Sequence, residues 1–159
     1  MIVSDAGPLI ALAKIDSLPL LQTLYGLVAI PPAVHAEILA KAGDEASRLN
    51  AALQDFVQLA PAPPLAMEIE VATRSLGAGE QQAIALAHSL QLTLLMDDWH
   101  GRTVASRLGL QITGVIGVLL LAKEANHIAQ VRPLLEAIRR HGYWLSDRLI
   151  DMAAQLAGE

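Results

Sequence analysis

"LTLLMDDWHGRTVASRLGLQITG", residues 92–114, runs from an apolar stretch through two adjacent carboxylates into a helical pattern and then a second β-rich stretch. "LTLLM" (Leu92 to Met96) is nearly continuous in its apolar character rather than alternating, as expected of a strand buried on both faces. "GRTVASRLG" reads as a helix and "LQITG" (Leu110 to Gly114) as a further strand. Outward from this unit, "MIVS" (Met1 to Ser4), "LVAI" (Leu27 to Ile30) and "FVQLA" (Phe56 to Ala60) are similar runs. Helical patterns separate them. "PPAVHAEILAKAG" opens on prolines and reaches Gly43 as a C-cap, and "GEQQAIALAHSL" puts Ala83, Ile84, Ala87 and Leu90 on one face. From Val115 onward the pattern is helical, with "VRPLLEAIRRHG" and "SDRLIDMAAQLAG" last, the second N-capped by Ser146. The fold class is therefore α/β, a three-layer α/β/α arrangement around a central, mainly parallel sheet of about five strands. "PAPP" (Pro61 to Pro64) reads as a turn within one sheet rather than a linker.

The 159 residues suit a single domain over 1–159, long enough to bury about 70% of the unfolded surface. With 53% hydrophobic and 17% charged residues the chain is not disordered. Aromatic residues make up only 3%, so aliphatic side chains must build the core, base stacking on an aromatic platform is not the expected way for this chain to hold RNA, and RRM-like and OB-like readings lose ground. Cysteine is absent, which excludes disulfides, thiolate zinc sites and cysteine nucleophiles and suits a reducing cytoplasm. No signal peptide is expected, because no basic region precedes the first apolar run and Asp5 interrupts it. "ITGVIGVLLLA" (Ile112 to Ala122) is too short to span a membrane. A net charge of −5 argues against broad adhesion to nucleic acid while leaving local recognition open. Mean hydropathy of +0.43 favours a homodimer that covers apolar surface.

The acids give this frame its chemistry. Asp5 directly follows the first strand, and Asp97 and Asp98 follow "LTLLM", so both groups emerge at the carboxyl edge of a parallel sheet, where open α/β folds bind ligands. Glu80 opens a helix in "LGAGEQQAIALA", and Glu37 sits just over a turn into the helix after the second strand. Both can face that edge. Converging carboxylates repel one another, and no lysine or arginine in these motifs is placed to serve them all. A hard divalent cation, Mg²⁺ or Mn²⁺, resolves the repulsion because it prefers oxygen ligands and is commonly held by a few carboxylates together with phosphate oxygens.

The order and spacing of "IVSDAGPLIALAKI", "IPPAVHAEI", "GAGEQQAIALA" and "LLMDDWHGRTVASRLGLQITGVIGVLLLAK", followed by "LIDMAAQLAGE", resemble the PIN-like nucleases related to VapC toxins. The resemblance spans nearly the whole chain. It implies a metal-dependent endoribonuclease acting on single-stranded RNA, membership of a toxin–antitoxin pair with an antitoxin protein as partner, and products ending in a 5′ phosphate and a 3′ hydroxyl. Carried over position by position, it assigns the catalytic and metal-binding roles to Asp5, Glu37, Glu80 and Asp98, with Asp97 as an additional candidate because "DD" permits a one-residue shift. Lys14 and Arg102 are candidates to hold the RNA backbone. "DAG" stands where many relatives have "DTS" or "DSS", so the hydroxyl beside the first acid is missing at Ala6 and Gly7, with Ser4 the nearest substitute.

Each acid also has a structural alternative. Asp5, Asp97 and Asp98 could cap helices, Glu80 could complement a helix N-terminus, and Glu37 could face solvent. A PIN-like fold without turnover, serving to bind a protein, is the second functional reading. A phosphoacceptor receiver domain needs a lysine that "ITGVIG" does not supply. His35, His88, His100, His127 and His141 show no metal-ligand spacing, and "GAGEQQ" lacks both the third glycine of a dinucleotide fingerprint and a Walker lysine. "RRHGYW" (Arg139 to Trp144) reads either as a solvated basic helix end or as an RNA contact.

Overall fold

The computed structural model describes residues 1–41 and 43–159. Five short strands, β1 (Ile2–Ser4), β2 (Val28–Ile30), β3 (Val57–Leu59), β4 (Leu94–Leu95) and β5 (Ile112–Thr113), form one sheet in the order β3-β2-β1-β4-β5, every neighbouring pair parallel. All five lie inside the runs expected from the sequence, and each is shorter than its run. Single backbone hydrogen bonds carry the pairing past the strand ends, from Asp5 N to Leu95 O at 3.0 Å, from Met96 N to Thr113 O at 2.9 Å and from Ala60 N to Ile30 O at 2.8 Å.

Ten helices are described: α1 (Ala6–Lys14), α2 (Pro19–Tyr25), α3 (Pro32–Lys41), α4 (Ala46–Leu53), α5 (Met67–Thr73), α6 (Ala78–Leu90), α7 (Trp99–Arg107), α8 (Val115–Glu124), α9 (Arg132–Arg140) and α10 (Asp147–Leu156). They flank the sheet in a three-layer α/β/α arrangement. Every residue of β1, β2 and β4 is buried, whereas the edge strands β3 and β5 are partly open, as a parallel sheet covered on both faces requires. Leu9 and Leu12 of α1, Ile38 of α3, Ile84 of α6, Leu119 of α8 and Leu135 of α9 close one aliphatic core over it. Burying side chains of this size contributes roughly 1.5–3 kcal/mol each.

Ser146 caps α10, its hydroxyl accepting from Leu149 N at 3.1 Å. "PAPP" lies in an irregular connection between β3 and α5. Ala83, Ile84 and Ala87 are buried, but Leu90 is 45% exposed, because it belongs to the last turn of α6, next to the left-handed Gln91 that ends the helix. The helix end that Gly43 is read to cap adjoins residue 42, which lies outside the described residues. Among the described residues no helix is long and apolar enough to cross a membrane.

Candidate functional site

The strand order reverses direction at β1. The chain moves from β1 to β2 and β3 on one side, while β4 and β5 lie on the other, so the connections leaving β1 and β4 part and open a crevice at their carboxyl ends. Asp5 occupies the turn from β1 into α1, and Asp97 and Asp98 occupy the turn from β4 into α7.

Asp5 stands at the N-cap position of α1 with extended backbone (φ −80°, ψ 167°), yet its carboxylate makes no capping hydrogen bond. It is only 7% exposed, and its Oδ1 is a buried side-chain oxygen without a hydrogen-bond partner. Burial pushes the carboxyl up to about 7; the adjacent Ala6 N–H pulls it down, while Glu80, Glu37 and Asp98 push it further up in that order. An unpaired buried oxygen surrounded by like charge is not explained by helix capping.

The other acids approach from three helices. Glu80 lies in the first turn of α6, and α6 packs closely on α3, which carries Glu37. Gly79 makes that approach possible. A Cβ there would meet Glu37 Oε2 at 2.8 Å, Asp5 Oδ1 at 3.6 Å and Val34 Cγ2 at 3.7 Å, so the absence of a side chain leaves a small cradle lined by two carboxylates. Asp98 caps α7, Oδ2 accepting from Gly101 N at 2.7 Å, which fulfils the capping alternative with one of its two oxygens. An all-oxygen donor set with an orphaned buried oxygen fits a hard divalent cation. As placed, no three His, Asp or Glu side chains among the described residues are already gathered tightly enough to hold an ion together.

Asp97 is turned to a different task. Its carboxylate accepts from Val115 N at 3.1 and 3.3 Å, at the start of α8, and from the Tyr143 hydroxyl at 2.6 Å. Burial raises its pKa, while Tyr143, Val115 and Arg102 oppose that shift. Burial, together with the neighbouring Asp97 charge, raises the Tyr143 hydroxyl in turn, which keeps it a neutral donor. Arg102 Nη1 donates to Met96 O at 2.8 Å and so braces the β4–α7 turn. Lys14 is at the far end of α1 from Asp5, roughly 12–14 Å along the helix axis, where its Nζ donates to His141 O at 3.3 Å. Ser4 donates to the Asp5 backbone carbonyl at 2.8 Å, not to a carboxylate.

The structure thus brings Asp5, Glu37, Glu80 and Asp98 to one crevice, holds Asp97 beside them against Val115 and Tyr143, whose hydroxyl stands 4.0 Å from where a Gly7 Cβ would be, and gives Lys14 a contact elsewhere. It also adds two neighbours that sequence reasoning missed. Lys41 Nζ pairs with Glu37 Oε1 at 2.6 Å, a cation at the cleft rim that the i,i+4 spacing on α3 could have signalled. Tyr143 reaches Asp97 across 46 residues of chain, for which no local pattern exists.

A family model for a PIN domain matches residues 1–159, the full length of the sequence. No curated protein matches the chain.

Proposed function

The chain belongs to a PIN-domain family, and from that premise we propose that it is a metal-dependent endoribonuclease, with residues 1–159 forming one nuclease domain. PIN domains are generally nucleases and typically use divalent metals. The observation that carries the reading is the buried, unpartnered Asp5 Oδ1 facing Glu80, Glu37 and Asp98 at the β1/β4 crevice. Asp5, Glu80 and Asp98 would hold Mg²⁺ or Mn²⁺, with Glu37 a direct or water-mediated ligand. When bound, such a cation lowers the pKa of water and offsets charge on a phosphodiester. The protein's own part is positional. β1 and β4 fix Asp5 and Asp98 to adjacent strands, the Gly101 N–H holds the Asp98 carboxylate in orientation, and Lys41 offers positive charge at the rim for a phosphate oxygen. Hydrolysis adds water oxygen to phosphorus and breaks the bond to the 3′ oxygen, leaving a 5′ phosphate and a 3′ hydroxyl.

Kinship to VapC-type toxins, an antitoxin partner, a homodimeric assembly and a cytoplasmic location complete the proposal. The test is cleavage of single-stranded RNA by purified protein. Activity should require Mn²⁺ or Mg²⁺, stop with a chelator, and fall at least about a hundredfold in Asp5→Ala, since one lost charge-compensating group is worth about 3 kcal/mol in the transition state. Cleavage by Asp5→Ala at the native rate would overturn the assignment.

A second reading, a PIN-like protein-binding module without turnover, draws support from the "DAG" turn. Ser4 spends its hydroxyl on a backbone carbonyl, and the hydroxyl nearest Gly7, that of Tyr143, stands 4.0 Å from where a Cβ would be and is donated to Asp97. Full-length RNA recovered after incubation with native protein and Mn²⁺ would favour it.

A further inference from the structure

Both tryptophans of the chain are displayed to solvent, Trp99 at 79% and Trp144 at 81% exposure. In a protein with so few aromatic residues this is unexpected, because such large side chains usually dominate a core. Trp99 is the first residue of α7 and follows Asp98 directly. It lines a groove of about 600 Å³ with Arg102, Thr103, Ser106 and Arg107, bounded by Ile112 of the edge strand β5. Their spacing puts these residues on one face of α7, so the stripe leads from the acid crevice down the helix. Arg107 forms no ion pair or side-chain hydrogen bond among the described residues, whereas Arg102 commits one nitrogen to Met96 O.

Resting on the nuclease reading above, we propose that the groove between α7 and β5 carries the single-stranded RNA away from the acid crevice, with a base stacked on Trp99 and the backbone held by Arg107 and Arg102. A single strand presents the two chemistries this face can meet. Its unpaired bases offer π-faces to an exposed indole, and its phosphates offer anionic oxygens to guanidinium groups. Thr103 and Ser106 add hydroxyls, although Thr103 already bonds Trp99 O at 2.9 Å. A second copy of this chain, with net charge −5, complements an arginine-lined groove less directionally than a phosphate backbone does.

The experiment measures binding and cleavage separately. Fluorescence anisotropy of a dye-labelled single-stranded RNA oligonucleotide in EDTA reads affinity without turnover, and Mn²⁺ is added in a parallel cleavage assay. Trp99→Ala should weaken binding roughly tenfold and Trp99→Phe should retain most of it, since one stacked base contributes on that order. Arg107→Ala should reduce the slope of log affinity against log salt by about 0.7, the release expected for one phosphate contact on a single strand. In a Trp144→Phe background, RNA should quench the emission of Trp99, then the only indole. Unchanged affinity and emission in a protein that still cuts RNA would overturn the groove and leave the nuclease reading standing. Native protein that neither binds nor cuts would overturn both. Loss of a dimer in Trp99→Ala, seen by light scattering with RNA affinity intact, would assign the face to self-association and also reject the proposal.

Discussion

A carboxylate removed from water without a partner is expensive to ionise, and Asp5 therefore holds its proton to about pH 7 when nothing positive faces it. This couples its titration to folding. The folded-state pKa lies above the ordinary value of 3.8, so the contribution of Asp5 to stability is fully present below about pH 4 and is lost as the pH rises through 7. A gap of about three pH units corresponds to about 4 kcal/mol. In EDTA, urea unfolding of the native protein should weaken from pH 5 to pH 8 relative to Asp5→Asn, with the variant the more stable at pH 8. Equal pH dependence of the two proteins would show that Asp5 is not a strained acid. Asp5, Asp98 and Glu80 were legible in the sequence because each stands at a strand end or a helix start that the sequence pattern locates, whereas Glu37 lies more than a turn into α3, and the grouping of all four into one set came from the family resemblance. Tyr143 and Lys41 were not legible. Tyr143 depends on the packing of a distant loop, and Lys41 required knowing that the Glu37 face of α3 turns toward the crevice.

Glu37 and Glu80 ride on α3 and α6 while Asp5 and Asp98 stand at strand ends, so the packing of these two helices sets how near the glutamates come to the aspartates. Gly79 is the clearest lever, because a methyl group there would sit 2.8 Å from Glu37 Oε2 and Glu37 would have to swing away. Alanine also favours a helix over glycine by up to about 1 kcal/mol. Gly79→Ala should therefore keep or raise the melting temperature in EDTA while weakening Mn²⁺ binding about tenfold by calorimetric titration; undiminished binding would place the ion elsewhere. The helical layer has a second lever in Glu159, whose carboxylate accepts from Val131 N at 2.7 Å and Arg132 N at 3.0 Å at the start of α9 and from Lys123 Nζ at 3.0 Å. Those donors outweigh burial and hold its carboxyl below the usual value of 4.5, so this clamp is present above that pH and fades as the solution becomes more acid. Glu159→Gln should lower stability at pH 7 by about 1–2 kcal/mol and lose less than the native protein on acidification, as followed by circular dichroism. At this scale the strands were readable as apolar runs, whereas α2, α4 and α5 were not. Each has seven or eight residues, too few turns for a periodic signal, and their existence depends on the surface they cover.

At the scale of the whole molecule the decisive property is that four acids on separate elements come to one crevice only when the sheet and its helices are assembled. The unfolded chain spreads Asp5, Glu37, Glu80 and Asp98 over more than ninety positions and has no comparable site, so a divalent cation should bind the folded state almost alone. Binding of that kind stabilises by mass action, by about 2.7 kcal/mol when free ion stands at a hundred times its dissociation constant. For a domain of this size that corresponds to a rise of roughly 5–10 °C in melting temperature. Differential scanning calorimetry at pH 7.5 should show this rise with Mn²⁺ in the native protein, a much smaller one in Asp98→Asn and in Asp5→Asn, and none with Na⁺ at matched ionic strength. Dependence on pH separates a specific site from general screening of the −5 net charge. Protons compete for Asp5, so the Mn²⁺ shift should shrink as the pH falls below 7, whereas screening would weaken only as the carboxylates as a whole neutralise near pH 4. A Mn²⁺ shift of equal size in the native protein and both variants, or one unchanged between pH 8 and pH 5.5, would mean that the crevice holds no cation.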